Sequence, residues 1–82
     1  MELKEEVLQK MIERTAVVFK KKPEELSADT RFVEDLKAKS VNVVQIITVL
    51  EAEYDVQITY MEARRRKTIG EMANYIAELC GA

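Results

Sequence analysis

The stretch VNVVQIITVLEAEY, Val41 to Tyr54, decides the fold. Its first residues are mostly β-branched, and such side chains suit a pleated strand as readily as a buried helix. Two features favour the helix. The run exceeds the roughly 4–8 residues of a typical buried strand, and polar residues interrupt it at Gln45, Thr48 and Glu51. The apolar positions, among them Val41, Val43, Val44, Ile46, Ile47 and Leu50, cover more than one helical face. A helix of that kind is either buried or shows part of its apolar surface to a partner.

Working outward, Leu3, Val7, Leu8, Met11, Ile12, Thr15, Val18 and Phe19 recur at helical spacing with charged residues between them. They predict a first amphipathic helix, which Lys20 to Lys22 suit at its C-terminal end and Pro23 stops. PEELSADTRFVEDL, Pro23 to Leu36, then reads as a long connection that Leu26, Phe32, Val33 and Leu36 can pin to the core. Asp55 to Thr59 turns the chain with Val56 and Ile58 inward, and Tyr60 to Arg66 suits only a short helix. Thr68 and Glu71 form a capping box that opens a last helix, with Ile69, Met72, Ala73, Ile76, Leu79 and Cys80 on one stripe. The expected architecture is all-α: a four-helix bundle of three longer helices and one short one, in a single domain spanning residues 1–82.

Composition agrees with a globular chain. Of the 82 residues 48% are hydrophobic and 34% charged, and the net charge of −2 singles out no partner. The core of so short a chain is expected to be thin, with about 60–65% of the unfolded surface removed from water. A lone cysteine, Cys80, fits a reducing cytoplasmic compartment and a packing role. The opening MELKEEVLQK has no apolar segment of a secretory signal, and no run approaches the roughly 20 apolar residues of a membrane span.

Several chemistries lack their residues. There is no histidine, one cysteine cannot build a cysteine-rich zinc site, and Gly70 and Gly81 cannot form a phosphate-cradling loop. Glu34 and Asp35 read as solvated or capping groups rather than an acid–base pair. An enzyme is the class least supported, and no metal site is expected.

Ser40 stands where the apolar helix begins, with Lys37 and Lys39 just before it. As an N-cap its oxygen would be worth about 1 kcal/mol. The lysines are on the wrong side of the helix dipole, each by roughly 0.3–1 kcal/mol when exposed. The surrounding passage FVEDLKAKSVNVVQIITVLEAEYDVQI, Phe32 to Ile58, resembles the acyl carrier protein family and its F-x-E-D-L-x-A-D-S-L signature. Phe32, Glu34, Asp35, Leu36, Ala38 and Ser40 match position by position, as do Val44, Leu50, Glu53, Asp55 and Ile58. The similarity continues through Thr68, Ile69, Tyr75 and Ile76.

The resemblance implies a non-catalytic carrier that holds acyl groups as thioesters on a 4'-phosphopantetheine arm, donated by coenzyme A and attached to Ser40. It implies a cytoplasmic, monomeric protein that shuttles intermediates of fatty acid, polyketide or specialised lipid biosynthesis. Its partners would be a phosphopantetheinyl transferase and acyl-loading and acyl-processing enzymes, with no nucleic acid. An acyl chain would slip between helices, where Val44, Ile47, Ile58, Met61, Ile69, Ala73 and Ile76 are the candidates for its lining.

The chain departs from the family where partners would dock. Lys39 replaces an aspartate before the serine, Val41 replaces a leucine, and Asn42 and Gln45 occupy commonly acidic positions. Arg64, Arg65, Arg66 and Lys67 fall where the short helix is usually acid-rich. Lys37, Lys39, Val41, Gln45, Thr48, Arg64, Arg65 and Arg66 are therefore the expected recognition residues, facing dedicated enzymes with less basic docking surfaces. A phosphate at Ser40 would turn the two lysines from unfavourable to favourable. Two other readings stay open: a peptidyl or aminoacyl carrier on the same fold, and a small helical nucleic-acid-binding domain using the basic run. The approach to Ser40 is not glycine-rich, which weighs against the first, and the net negative charge weighs against the second.

Overall fold

The computed structural model describes residues 2–81. Four α-helices follow in order, α1 Leu3–Phe19, α2 Ser40–Tyr54, α3 Tyr60–Ala63 and α4 Ile69–Leu79, with a single 3-10 turn at Pro23–Glu25. The β-branched run Val41 to Leu50 is helical, as its length and polar interruptions require. α1 packs against both α4 and α2, and the short α3 lies against α2. Val7 and Met11 of α1, Ile46 and Leu50 of α2, and Ile69, Met72 and Ile76 of α4 are almost wholly buried and form the centre of the core.

Helix ends follow local chemistry. α1 stops where Lys20 turns left-handed at φ 57°, and α2 where Asp55 does so at φ 52°. The Glu51 carboxylate then accepts from the Ile58 amide at 2.8 Å, holding the turn that delivers α3. Ile58 points inward as expected, whereas Val56 is only half-buried.

The long connection between α1 and α2 is anchored in two ways. Leu26, Phe32 and Leu36 enter the core, but Val33 does not: it remains 64% exposed, because the wound segment around it turns its side chain outward. The second anchor is backbone pairing with the start of α4. Phe32 N–H donates to the Lys67 carbonyl at 3.0 Å, Ile69 N–H to Thr30 at 3.0 Å, and Gly70 N–H to Ala28 at 2.9 Å. Glu71 N–H donates to the Thr68 hydroxyl at 3.1 Å. The Glu71 carboxylate accepts from the amide of Lys67, one residue before the cap, rather than from Thr68 itself. All the first-turn donors of α4 are thus satisfied inside the fold.

Gly70 gives this approach its room. A Cβ there would come within 3.0 Å of the Ala28 Cβ and carbonyl oxygen. Gly70→Ala is expected to cost about 1–3 kcal/mol in overpacking and lost pairing, against the roughly 1 kcal/mol it would gain at an unhindered helix position. Urea unfolding of the variant checks this.

Candidate functional site

Ser40 is the first residue of α2 and is exposed. It is not the N-cap, which corrects the capping expectation. Lys39 occupies that position with extended backbone, and its amide donates to the Asn42 side-chain oxygen at 2.8 Å. The reason is the wound segment before the helix. Arg31 to Leu36 coils so that Ala38 N–H reaches the Phe32 carbonyl at 2.9 Å, and Lys37 must turn left-handed at φ 55° to close it. That reversal brings the chain into α2 one residue earlier than the serine alone implies.

Asp35 locks the same segment. Its carboxylate accepts from the Arg31 amide at 2.8 Å and faces the Arg31 guanidinium at 3.1 Å. The hydrogen bond from that guanidinium, with a further one from the backbone, holds the Asp35 carboxyl below the usual carboxylate range. Asp35 is a capping group, as its sequence context suggests. Glu34 faces the other way, into the cleft beside Ser40.

At the start of α2, Asn42 and Val43 donate to the Lys39 carbonyl. Among the described residues none accepts from the amides of Ser40 or Val41, nor does the Ser40 hydroxyl make a hydrogen bond. Two backbone donors and one hydroxyl therefore converge at a solvent-facing helix terminus, where a negative group is favoured.

Beside Ser40 opens a cleft of about 400 Å³. One wall is made by Val33, Glu34 and Ala38 of the connection with Lys39, Ser40 and Val43. The other is Tyr60 and Ala63 of α3 with Arg64, Arg66 and Lys67, and Phe32 and Met72 floor it. Phe32, Ala63 and Met72 are buried, so the floor is apolar while the rim is cationic.

The expected recognition residues divide. Lys39, Arg64 and Arg66 line the cleft with Ser40. Val41, Gln45 and Thr48 form an exposed stripe along α2, with the Thr48 hydroxyl donating to the Val44 carbonyl at 2.7 Å. Lys37 is exposed at its left-handed turn, and Arg65 leans on Glu62 at 3.7 Å. Of the expected acyl-lining set, Ile47, Ile58, Ile69, Ala73 and Ile76 are core residues, whereas Val44 and Met61 are 44% and 66% exposed. None of the seven lines the cleft beside Ser40. Lys67 of the basic run does, as do Val43, Tyr60 and Met72, which sequence reading did not assign: Val43 and Val44 are indistinguishable by type, and only the rotation of α2 separates them.

Comparison with known proteins agrees with this geometry. The family described as "Phosphopantetheine attachment site" matches residues 7–76. The acyl carrier proteins of Rickettsia canadensis and Rickettsia typhi are each 36% identical over 74 residues, covering 90% of this chain and 86% of theirs. The solved structure of the acyl carrier protein from Enterococcus faecalis superposes with a TM-score of 0.77 at 27% identity, over 95% of this chain and 99% of that one. The fold is that of a phosphopantetheine-bearing carrier. The chain belongs to the acyl carrier protein family. It is a carrier and not an enzyme, holding acyl groups on a covalent 4'-phosphopantetheine arm and working with a phosphopantetheinyl transferase and biosynthetic enzymes. Among the described residues no helix is long and apolar enough to cross a membrane.

Because Ser40 makes no cap bond, Ser40→Ala should leave unfolding free energy within about 0.5 kcal/mol of the wild type. Asn42→Ala, which removes the acceptor for Lys39, should cost about 1 kcal/mol. Chemical denaturation of the two variants reads the difference.

Proposed function

We propose that Ser40 bears the phosphopantetheine arm. The observation that carries the reading is an exposed hydroxyl without an intramolecular partner, on a helix turn whose Ser40 and Val41 amides are unclaimed. A phosphodiester joined to that oxygen lies within the reach of those donors and of Lys39. Lys37 and Lys39, mildly adverse to the bare helix, then offset the new charge, each by roughly 0.3–1 kcal/mol where exposed. When attached, the arm supplies a terminal thiol that holds the acyl group as a thioester. The chain itself orients the arm's root, keeps the helix end poised for an anion and offers the cleft beside it.

Incubation with coenzyme A and a phosphopantetheinyl transferase should add the mass of one arm to wild-type protein. Ser40→Ala, folded to the same stability, should gain none. A mass gain that persists in Ser40→Ala, or maps to another residue, would end this assignment.

The surrounding face supports a reading of the partners. Val33 beside Ser40 in the cleft and Val41 and Val44 on the first turns of α2 are exposed by 64, 57 and 44%, with exposed Lys37, Lys39 and Arg64 nearby. Such a face suits an enzyme with an apolar docking surface rimmed by carboxylates, and repels the basic surfaces that acidic carriers attract. The same reading places the protein in the cytoplasm, serving a dedicated branch of fatty acid, polyketide or specialised lipid biosynthesis. Acyl loading by a dedicated enzyme should slow with salt and in a Lys37→Glu/Arg64→Glu variant, and should exceed loading by a general fatty-acid synthase partner. Equal rates with the two enzymes would sink this part.

A further inference from the structure

The cleft beside Ser40 holds more positive charge than one phosphodiester uses. Lys39, Arg64, Arg66 and Lys67 line it, and Glu34 is the one carboxylate among its lining residues. Elsewhere Lys10 pairs with Glu53, Arg31 with Asp35 and Arg65 with Glu62, while other cations, such as Lys20 to Lys22, stand outside this cleft. Arg66 is partly engaged, over the Tyr75 ring at 4.5 Å and with Glu62 at 3.9 Å. Among the described residues no carboxylate lies within ion-pair distance of Lys39, Arg64 or Lys67.

The two sides of the cleft have different work to do. A phosphodiester at Ser40 would be met by Lys39 and by the unclaimed amides of Ser40 and Val41. Arg64, Arg66 and Lys67 stand on the other wall, across a floor of Phe32 and Met72. An apolar floor ending in cations is complementary to a chain that is alkyl along its length and anionic at its end. The volume of about 400 Å³ is that of a small-molecule site, which is typically about 300–1,000 Å³. A tethered ligand also sees an effective concentration of mM order, so contacts too weak for a free molecule still fill the cleft.

We propose that this carrier's cleft retains an acyl group whose far end bears a carboxylate or comparable anion, held by Arg64 and Lys67 with help from Arg66. The proposal rests on arm attachment at Ser40 and deepens it by naming the class of cargo. A neutral alkyl end would leave these cations without a partner in the cleft, and would gain only from the floor.

The test loads the apo protein through a phosphopantetheinyl transferase with coenzyme A, hexanoyl-coenzyme A or adipoyl-coenzyme A. The two acyl groups differ only in a terminal methyl against a terminal carboxylate. Backbone amide shifts are recorded, together with the rate at which a small added thiol cleaves each thioester. The adipoyl form alone should move the amides of residues 64–67, and its thioester should be cleaved about 3-fold more slowly than the hexanoyl one. Both differences should vanish in Arg64→Ala/Lys67→Ala, and in wild type at about 1 M salt, where the Debye length is about 3 Å.

Equal shifts and rates for the two acyl forms would overturn the proposal. So would the same shifts in the unacylated form, which would assign the cations to the arm's own phosphate, or an adipoyl effect that survives the double variant. Failure of all three donors to add mass at Ser40 would overturn the attachment reading and this one together, a result separable from normal loading without discrimination.

Discussion

The structure depends on a short backbone pairing between the connection before α2 and the start of α4. The connection before α2 donates from Phe32 to Lys67, and accepts at Thr30 and Ala28 from Ile69 and Gly70. These bonds close the α4 terminus, hold a long loop that would otherwise pay its ordering entropy with few contacts, and fix the distance between the cleft's walls. Val33, Glu34 and Ala38 reach one side of the opening because Phe32 is tied down. Arg64, Arg66 and Lys67 reach the other because Lys67 is the partner in that tie. Gly70 is small so that the two backbones can meet.

Two helices in one small chain treat their first-turn donors in opposite ways. At α4 every amide is claimed, by the Thr68 hydroxyl or by loop carbonyls, so that end is structural. At α2 the cap duty passes to Asn42, and the amides of Ser40 and Val41 face water. Oriented donors left without a partner attract an anion through both hydrogen bonding and the helix dipole. The difference separates two helix starts of similar Lys-polar-apolar sequence: only that of α2 presents unclaimed amides.

Stability and function draw on the same thin core. Thr15 is fully buried with its hydroxyl unpartnered among the described residues, a small cost carried in the middle of α1. At the other end from Ser40, the Tyr54 hydroxyl donates to Glu6 at 2.8 Å and fastens α2 to α1. Burial and that carboxylate raise the Tyr54 phenol well above its ordinary value, so the clamp stays protonated at any ordinary pH. Burial likewise raises the Cys80 thiol, which suits a packing residue. The distant end of α2 is thereby held while its start stays exposed to solvent.

The sequence by itself determined the helices, their approximate limits, the anchoring role of Leu26, Phe32 and Leu36, and the serine at the start of α2. Those features come from periodicity, caps and turn residues within a few positions of one another, where local chemistry decides. The family resemblance, too, was legible in contiguous residues, Phe32 to Ile58. Only the tertiary structure decided which side of α2 turns inward. β-branched residues lie nearly all round that helix, so nothing local tells Val43, in the cleft, from Val44, on the surface. It also decided that Lys39 joins Arg64, Arg66 and Lys67 around one opening, and that Lys37 and Arg65 stay outside it. That grouping is set by the pairing of the connection with the start of α4, a contact between segments far apart along the chain, which no local pattern encodes.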